Sequence, residues 1–473
     1  MSVDHPPVQE VHEGRARTNI SFVIVITVIA ALGGLLFGFD QGVISGAIGF
    51  LNVQFHMAPA LSGLVTACLS LGAIAGCLVA GFLCDGLGRR LLMFIGGLLF
   101  VTSSIGCGLA NGPAMLIAFR VIGGLGVGVV STVVPLYIAE TAPARIRGRL
   151  VGGYQLAIAS GILIVYIFNA VIANTHTLEW NLSTGWRWMF AAGVVPGLLF
   201  FCLMFLVPET PRFLFEKGDH AQAKSILTKI DGPESAETSL ADFAVAQSLS
   251  YRGFFRELFK KGFGVALVLT IALPFFQQLT GVSAVAYYAP VIFKQAGAST
   301  NAALIETVVI GIVKVLFVVS FMILVDRVGR KRLLLLGSAL MALCLIGIGV
   351  VFVTPTPFSI VTDGLILFLI LLHTVGFEAS WGPGVWVVIS ELWPTRIRGR
   401  AVSIGTAVLW LGTYLVTQFF PILLKDWGTP LTFGLFGCFC IAMFLFTLKL
   451  VPENKGKTLE QIQLDFTVKG TNA

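Results

Sequence analysis

The chain has 473 residues, of which 56% are hydrophobic and only 12% are charged, and its formal net charge is +7. A water-soluble domain of this length is not expected to be so apolar, so the composition excludes a soluble enzyme and indicates a polytopic membrane protein. No basic block is interleaved with aromatic residues, which argues against a nucleic-acid partner. The eight cysteines show no metal-ligand or disulfide spacing, so we expect neither a metal nor a cofactor.

Twelve apolar segments are long enough to cross a bilayer as helices, six on each side of a polar insert. They lie at residues 21–48, 60–83, 91–110, 114–138, 152–173, 188–207, 262–293, 304–325, 333–353, 361–389, 402–424 and 430–450. The sequence therefore predicts an all-α membrane protein. Its predicted parts are an N-terminal tail (1–20), a first six-helix bundle (21–207), a linker with a few short helices (208–261), a second six-helix bundle (262–451) and a C-terminal tail (452–473).

The distribution of positive charge predicts the orientation. Of the 31 lysines and arginines, 26 lie in the two termini and the even-numbered loops. Positive residues concentrate on the cytoplasmic side of a membrane protein. We therefore expect both termini and the linker to face the cytoplasm, in a multi-pass protein of the cytoplasmic (inner) membrane.

The two halves of the chain repeat the same loop motifs. The matched segments are 85–90 (DGLGRR) with 326–331 (DRVGRK), 140–149 with 391–400, and 208–212 with 452–456. The offsets of 241, 251 and 244 residues indicate one six-helix unit used twice. Parallel repeats around a site near the bilayer midplane are a transporter architecture.

Two charged residues lie within the spans of the first half, Asp40 in the first and Arg120 in the fourth. A charge at the centre of a bilayer helix costs roughly 2.5–3.5 kcal/mol on insertion scales, so it needs a partner or a purpose. Both helices belong to one predicted bundle, so we expect the side chains to pair. The pair is either a proton site, in which Asp40 titrates and Arg120 holds its carboxylate in one state only, or a static buried ion pair.

Residues 277–288 (QQLTGVSAVAYY) form a polar seam in an otherwise apolar segment. Unpaired polar groups are costly in hydrocarbon, so these side chains are expected to face a protein interior or a water-filled path. On a straight helix Gln278 and Ser283 point about 140° apart. One cavity can use both only if the helix is distorted near Thr280–Gly281, which glycine permits. The seam is therefore predicted to line a solute pathway.

Taken together, these motifs resemble those of the sugar porter branch of the major facilitator superfamily, from about Gly33 to Gln461. The resemblance rests on the paired loop motifs, on Arg120 followed by the GxGxG run at 124–128, and on the glutamines at the start of 277–288. It implies two six-helix bundles that rock about a central sugar site and open it alternately to each side of the membrane. It also implies that Asp40 and Arg120 are the proton-coupling pair.

The resemblance further implies a sugar site with an outer gate. Gln155, Gln277 and Gln278 match amides that bind sugar hydroxyls, and an amide offers both a donor and an acceptor. Judged from the residues alone, Gln155 could instead make a helix–helix hydrogen bond. Tyr287 and Tyr288 match the outer-gate end of the seventh helix, with Tyr287 also counted among the substrate contacts. The matching aromatic pocket positions are Phe37, Phe377, Trp386 and Trp410.

The duplicated charges at the loop ends are predicted to form inter-helix ion pairs that hold the cytoplasmic gate shut, rather than to be solvated loop charge. The candidates are Asp85, Arg89, Arg90, Glu140, Arg147, Glu209 and Arg212 in the first half and Asp326, Arg330, Glu391, Arg398 and Glu453 in the second. None of them is expected to be catalytic.

The second half of the predicted sugar site departs from the family pattern. Ser283 stands where an asparagine is usual, and Lys314 replaces an asparagine that contacts the sugar. Leu409 and Thr413 replace amides of the eleventh helix. The site has thus lost amides and gained an ammonium group. Lys314 could pair with Glu378, or it could meet the carboxylate of an acidic sugar.

The leading hypothesis is a monomeric secondary active transporter in the lipid bilayer, which carries a hexose, a pentose or a related polyol together with protons. One alternative is a proton-coupled transporter of a sugar acid or another organic anion that uses Lys314. Others are an uncoupled facilitator and a sugar sensor, although the short tails argue against a sensor. The sequence has no nucleotide-binding loop, metal cluster or nucleophile–base pair, so we do not expect an enzyme.

Overall fold

The computed structural model describes residues 19–143, 146–248, 264–353, 360–393 and 395–453. Within these ranges twelve helices are long and apolar enough to cross a membrane, which confirms the predicted number of spans. In chain order, α1 to α12 are Ile20–Gln54, Pro59–Leu87, Arg89–Gly108, Pro113–Thr141, Arg147–Thr175, Leu178–Leu206, Gly264–Gln295, Thr300–Val325, Arg330–Val353, Val361–Leu392, Gly399–Asp426 and Gly428–Leu450. Several extend beyond the predicted segments, because helical hydrogen bonding continues into polar residues that hydropathy does not count.

The helices form the two predicted bundles, α1–α6 and α7–α12. In the first bundle α1 packs against α5 and α2 against α4, and in the second α9 packs against α12 and α7 against α11. The bundles meet along two main seams, where α2 contacts α11 and α5 contacts α8. The outer surface is apolar: Phe82, Val195, Leu343 and Val361 are each more than 70% exposed. Such side chains fit a lipid environment and not water.

Short helices connect the bundles, as predicted. They span Pro211–Glu216, His220–Asp231 and Pro233–Ser248. The linker lies at the end of the first bundle where α1 begins, since the Asn19 N–H donates to the Ile230 carbonyl over 3.1 Å. We call this end of the molecule the linker side and the opposite end the far side.

Two helices of the second bundle are irregular near their middles. Helix α7 consists of α7a, Gly264–Leu279, and α7b, Val282–Gln295, with Gly281 at φ +76° between them. A residue with a Cβ rarely adopts that conformation, so the break requires glycine. The distortion predicted near Thr280–Gly281 is confirmed. Helix α10 contains a π-helical turn at Phe377–Trp381, a type of bulge that is frequent at functional sites.

Helix α1 lies directly against α5 because glycines occupy the points of contact. A Cβ at Gly38 would overlap the backbone carbonyl of Ile158, and one at Gly161 would overlap that of Leu35. Small residues allow this close approach, which membrane helices use because lipid provides no hydrophobic force between them. Gly49, also on α1, faces open space.

Gly38→Ala is expected to lower the melting midpoint of the detergent-solubilised protein, because the new methyl group must displace the backbone of α5. Overpacking of this kind costs roughly 1–3 kcal/mol. Gly49→Ala is the matched control and should leave the midpoint unchanged or raise it slightly, since alanine favours the helix. The midpoint is measured by intrinsic tryptophan fluorescence. Equal midpoints for the two variants would contradict the close packing of α1 on α5.

Candidate functional site

An arginine–aspartate pair is buried inside the first bundle. Arg120 of α4 is fully buried and Asp40 of α1 is 7% exposed. Arg120 Nη1 lies 3.8 Å from Asp40 Oδ2, and Arg120 Nη2 donates to the Thr66 carbonyl over 3.2 Å. The guanidinium also lies 5.9 Å from the centre of the Phe190 ring. Neither Asp40 Oδ2 nor Arg120 Nη1 makes a hydrogen bond within the described residues. The predicted pairing is therefore present as a loose ion pair.

The two tyrosines of α7b flank this pair from the other bundle. Tyr287 lies in the neighbourhood of Asp40 and Arg120, and Tyr288 lies beside Thr66. Both tyrosine side chains are buried. Helix α7b packs against α1, the helix of the opposite bundle that carries Asp40.

Further hydrogen bonds hold α7b in this position. Tyr288 donates its hydroxyl to the Thr417 carbonyl of α11 over 3.1 Å. Tyr166 of α5, in the first bundle, donates to the Ala286 carbonyl of α7b over 2.7 Å. Because the second bond joins the two bundles, α7b is fastened to the first bundle at the far side.

The paired glutamines of α7 are partly engaged by the protein itself. Gln277 Nε2 donates to the carbonyls of Trp381 and Gly382, over 2.8 and 2.9 Å. Its Oε1 is buried and accepts no hydrogen bond from a described residue. Ser283 donates its hydroxyl to Gln278 Oε1 over 2.6 Å. The bend in α7 thus brings Gln278 and Ser283 together, as the sequence required.

Gln155 lies at the junction of the bundles. Viewed down the axis of α5, the side chain of Gln155 points about 60° away from the direction of Gly152 and about 80° away from that of Leu163. Gly152 faces Met322 of α8, and Leu163 faces Gly311 of the same helix. Gln155 is only partly buried, and the described residues provide none of the helix–helix hydrogen bonds considered for it.

The four predicted aromatic residues lie in three different surroundings. The rings of Phe37 in α1 and Trp410 in α11 lie 5.0 Å apart across the bundle seam. Trp410 is buried, and the only group beside its Nε1–H among the described residues is the Cys77 thiol, a weak acceptor. Phe377, in α10, lies next to Lys314. Trp386 is partly buried against the apolar core.

Lys314 and Glu378 form a close ion pair inside the second bundle. Lys314 Nζ lies 2.7 Å from Glu378 Oε1, and the side chains are 6% and 5% exposed. The ammonium also lies 5.9 Å from the centre of the Phe377 ring. Of the two possibilities that the sequence left open, the structure shows the pairing, so the charge of Lys314 is compensated by the protein.

His373 in α10 is not among the site residues predicted from the sequence. The residue is 1% exposed, and its Nε2 lies 3.0 Å from the Thr280 carbonyl at the break in α7. The available signal was an ionisable side chain within an apolar span, which by itself suggests a function. In the part of the chain that the structure describes, no three His, Cys, Asp or Glu side chains are grouped to hold a metal ion.

The linker side carries charged pairs at the ends of the repeated loops. Arg89 lies 2.9 Å from Glu140 and 3.5 Å from Asp85. In the second half Arg330 Nε lies 3.1 Å from Glu391. All of these pairs lie within a bundle. A link between bundles is provided by Arg400, which the predicted gate set omitted and which lies 3.4 Å from Asp85.

Four residues of the predicted gate make other contacts in this structure. Arg90 donates to the carbonyls at positions 204 and 205. Glu209 accepts the backbone N–H groups of residues 89 and 90, because the first turn of a helix leaves its N–H groups without partners. Arg212 pairs with Glu216 one turn along its own helix. Arg147 donates to the carbonyl of residue 142.

In the second half, Glu453 lies against Gly329 at the start of α9. Glu453 therefore has the same position relative to α9 that Glu209 has relative to the start of α3. The side chains of Asp326 and Arg398 lie outside the described residues.

Comparison with known proteins gives consistent matches along the whole chain. The family model "Sugar (and other) transporter" matches residues 26–466. The chain is 40% identical to the arabinose-proton symporter of Bacillus subtilis (strain 168), over 94% of this chain and 95% of that protein. It is 37% identical to the D-xylose-proton symporter of Escherichia coli (strain K12), over 94% and 96%.

Solved structures give the same result. The proton:xylose symporter XylE bound to 6-bromo-6-deoxy-D-glucose matches with a TM-score of 0.81 and 37% identity, over 95% of this chain and 100% of that one. The partially occluded inward open xylose transporter XylE from E. coli matches with a TM-score of 0.82 and 35% identity, over 93% and 100%.

The Lys314–Glu378 pair predicts a strong coupling between two substitutions. Lys314→Met leaves a buried carboxylate without its partner, and Glu378→Gln leaves a buried ammonium. Each is expected to cost roughly 3–5 kcal/mol of stability, whereas the double variant should recover most of that loss. Melting midpoints of the four purified proteins test this. If the losses of the single variants simply add in the double variant, the two side chains do not depend on each other.

Proposed function

The chain belongs to the sugar transporter family of the major facilitator superfamily, and from this we propose that it is a secondary active transporter that carries a monosaccharide together with protons. The relatives named above as arabinose-proton and D-xylose-proton symporters support pentoses as the first substrates to test. The structural observation that carries the proposal is the buried Asp40–Arg120 pair beneath α7b.

Proton coupling is supported by the way in which the pair is held. Arg120 attracts Asp40 over 3.8 Å without a hydrogen bond between the two side chains. A proton on Asp40 removes the charge that Arg120 attracts, so the pair has two electrostatic states. Tyr287 of α7b lies near both members, and α7b packs against α1, which carries Asp40. A change in the pair is therefore proposed to alter the packing of α7b, which links proton binding to the opening of the far side.

A sugar as the cargo is supported by buried polar atoms that lack protein partners. Gln277 Oε1 is an acceptor of this kind, and Trp410 Nε1 has only the weak acceptor Sγ of Cys77 beside it. Buried polar groups in native proteins are nearly always hydrogen-bonded, so such atoms fit a hydroxylated ligand. Gln278 can offer its NH₂ group, since Ser283 already occupies its oxygen. Gln155, Phe37, Phe377 and Trp386 complete the proposed contacts, with Tyr287 above them.

A neutral cargo is supported by the Lys314–Glu378 pair. An ammonium group that binds a substrate carboxylate must be available to it, whereas Lys314 is already 2.7 Å from a protein carboxylate. Transfer of Lys314 to an acidic sugar would leave Glu378 buried and unpaired, which is costly. The proposed substrate is therefore a hexose or a pentose and not a sugar acid.

We further propose that the linker side is the cytoplasmic side, because it carries most of the lysines and arginines. The ion pairs Arg89–Glu140 and Arg330–Glu391 then fix the helix ends of each bundle at the inner gate. Arg400–Asp85 joins the bundles there. Opening toward the cytoplasm would break this link, and α7b would form the outer gate. The unit is proposed to act as a monomer, since each twelve-helix chain contains a complete pathway.

Asp40→Asn is the test of the proposal. The amide keeps the size of the side chain but removes its charge and its exchangeable carboxyl proton. In proteoliposomes with an inwardly directed proton gradient, the variant should fail to accumulate labelled D-xylose or L-arabinose above equilibrium. Counterflow, which exchanges internal for external sugar without net proton movement, should continue within a few-fold of the unmodified protein. Retained counterflow also shows that the variant is folded.

Asp242→Asn, an exposed position on the linker helix Pro233–Ser248, is the matched control and should accumulate sugar normally. Full accumulation by Asp40→Asn would show that Asp40 does not carry the coupling. Loss of counterflow together with accumulation would assign Asp40 a structural role and would also contradict the proposal.

A further inference from the structure

The break in α7 faces α10 close to its π-helical turn. A straight helix would pair the Thr280 carbonyl with the N–H four residues later, but α7a ends at Leu279 and α7b begins at Val282. Thr280 is fully buried in the bundle. A carbonyl exposed by a break in this setting must find its donor in a neighbouring helix, because hydrocarbon offers none.

His373 supplies that donor from α10. A carbonyl oxygen can only accept, so the proton of the 3.0 Å contact belongs to His373 Nε2. The other ring nitrogen, Nδ1, is buried and has no partner among the described residues. Lys314 is the charged group near the imidazole. The ring is thus used at one nitrogen only, as a hydrogen-bond donor to the hinge of α7.

Helices α7 and α10 support each other by hydrogen bonds in both directions. Gln277, at the end of α7a, donates both of its amide hydrogens to the Trp381 and Gly382 carbonyls at the π-helical turn of α10. At the irregular point of each helix, backbone carbonyl groups therefore accept hydrogen bonds from a side chain of the other helix. Gln277 acts on the linker-side half of α10, whereas His373 acts at the point from which α7b departs.

We propose that His373 is a positioning residue that sets how readily the outer gate opens; this inference rests on the proposed function. Its Nε2–H fixes the Thr280 carbonyl and so holds the hinge in the conformation in which α7b packs against α1 and α5 of the first bundle. A side chain without a donor leaves that carbonyl unsatisfied in the closed arrangement. Removal of the bond should shift the equilibrium toward the arrangement in which α7b has swung away, by roughly five- to thirtyfold.

The test measures the exposure of α7b directly. Ala289 of α7b is fully buried, so Ala289→Cys reports its opening by reaction with a membrane-impermeant maleimide added to the outside of intact cells. The parent chain with its native cysteines gives the background. His373→Phe and His373→Leu, which lack a donor, should each raise the labelling rate at position 289 at least fivefold. His373→Gln places an N–H at the same number of bonds from Cα and should stay within twofold of the parent.

Transport provides a second readout. In the variants without a donor, the KM for external sugar and the maximal rate should change by different factors. The reason is that the population of the open gate changes, whereas the residues that bind the sugar do not.

The labelling assay needs neither sugar nor a proton gradient. It can therefore support the role of His373 even if the proposed substrate is wrong. Unchanged labelling in His373→Phe and His373→Leu would overturn the inference. So would a His373→Gln variant that loses proton-driven accumulation but keeps counterflow, since His373 would then carry protons.

Discussion

The absence of hydrogen-bond partners in hydrocarbon is the constraint on which this structure depends. Every backbone group freed by a break in a membrane helix must be satisfied inside the protein. The second bundle contains a break in α7 and a π-helical turn in α10, and His373 and Gln277 donate to the carbonyls at these points across the same contact. This accounts for how α7b can be separated from α7a at Gly281 without an unsatisfied carbonyl at the break. In the proposed function α7b is the segment that moves.

The same constraint governs the charged groups. Lys314 and Glu378 approach within 2.7 Å, whereas Arg120 and Asp40 remain 3.8 Å apart. A tight pair compensates its charges permanently and holds α8 to α10. The Asp40–Arg120 pair lacks a hydrogen bond between its side chains, and it is the pair whose protonation is proposed to change.

The sequence predicted the twelve spans, the repeat and the break at Gly281, because these depend on local hydropathy, motif spacing and glycine. It also predicted that Asp40 and Arg120 would meet, since two charges in one bundle have few other partners. It did not reveal the donor role of His373, whose acceptor is a backbone carbonyl 93 residues away. Nor did it separate Glu209, which caps a helix, from Glu140, which pairs with Arg89. Backbone acceptors and the choice among several nearby carboxylates depend on tertiary geometry.

The central claim is that sugar and protons move together through the site beneath α7b. The most direct measurement uses the purified protein in proteoliposomes with a trapped pH-sensitive dye and no initial pH gradient. Addition of a transported monosaccharide to the outside should acidify the interior, and a proton ionophore should abolish the signal. Uptake of labelled sugar to equilibrium without any change in internal pH would contradict the account and identify an uncoupled facilitator.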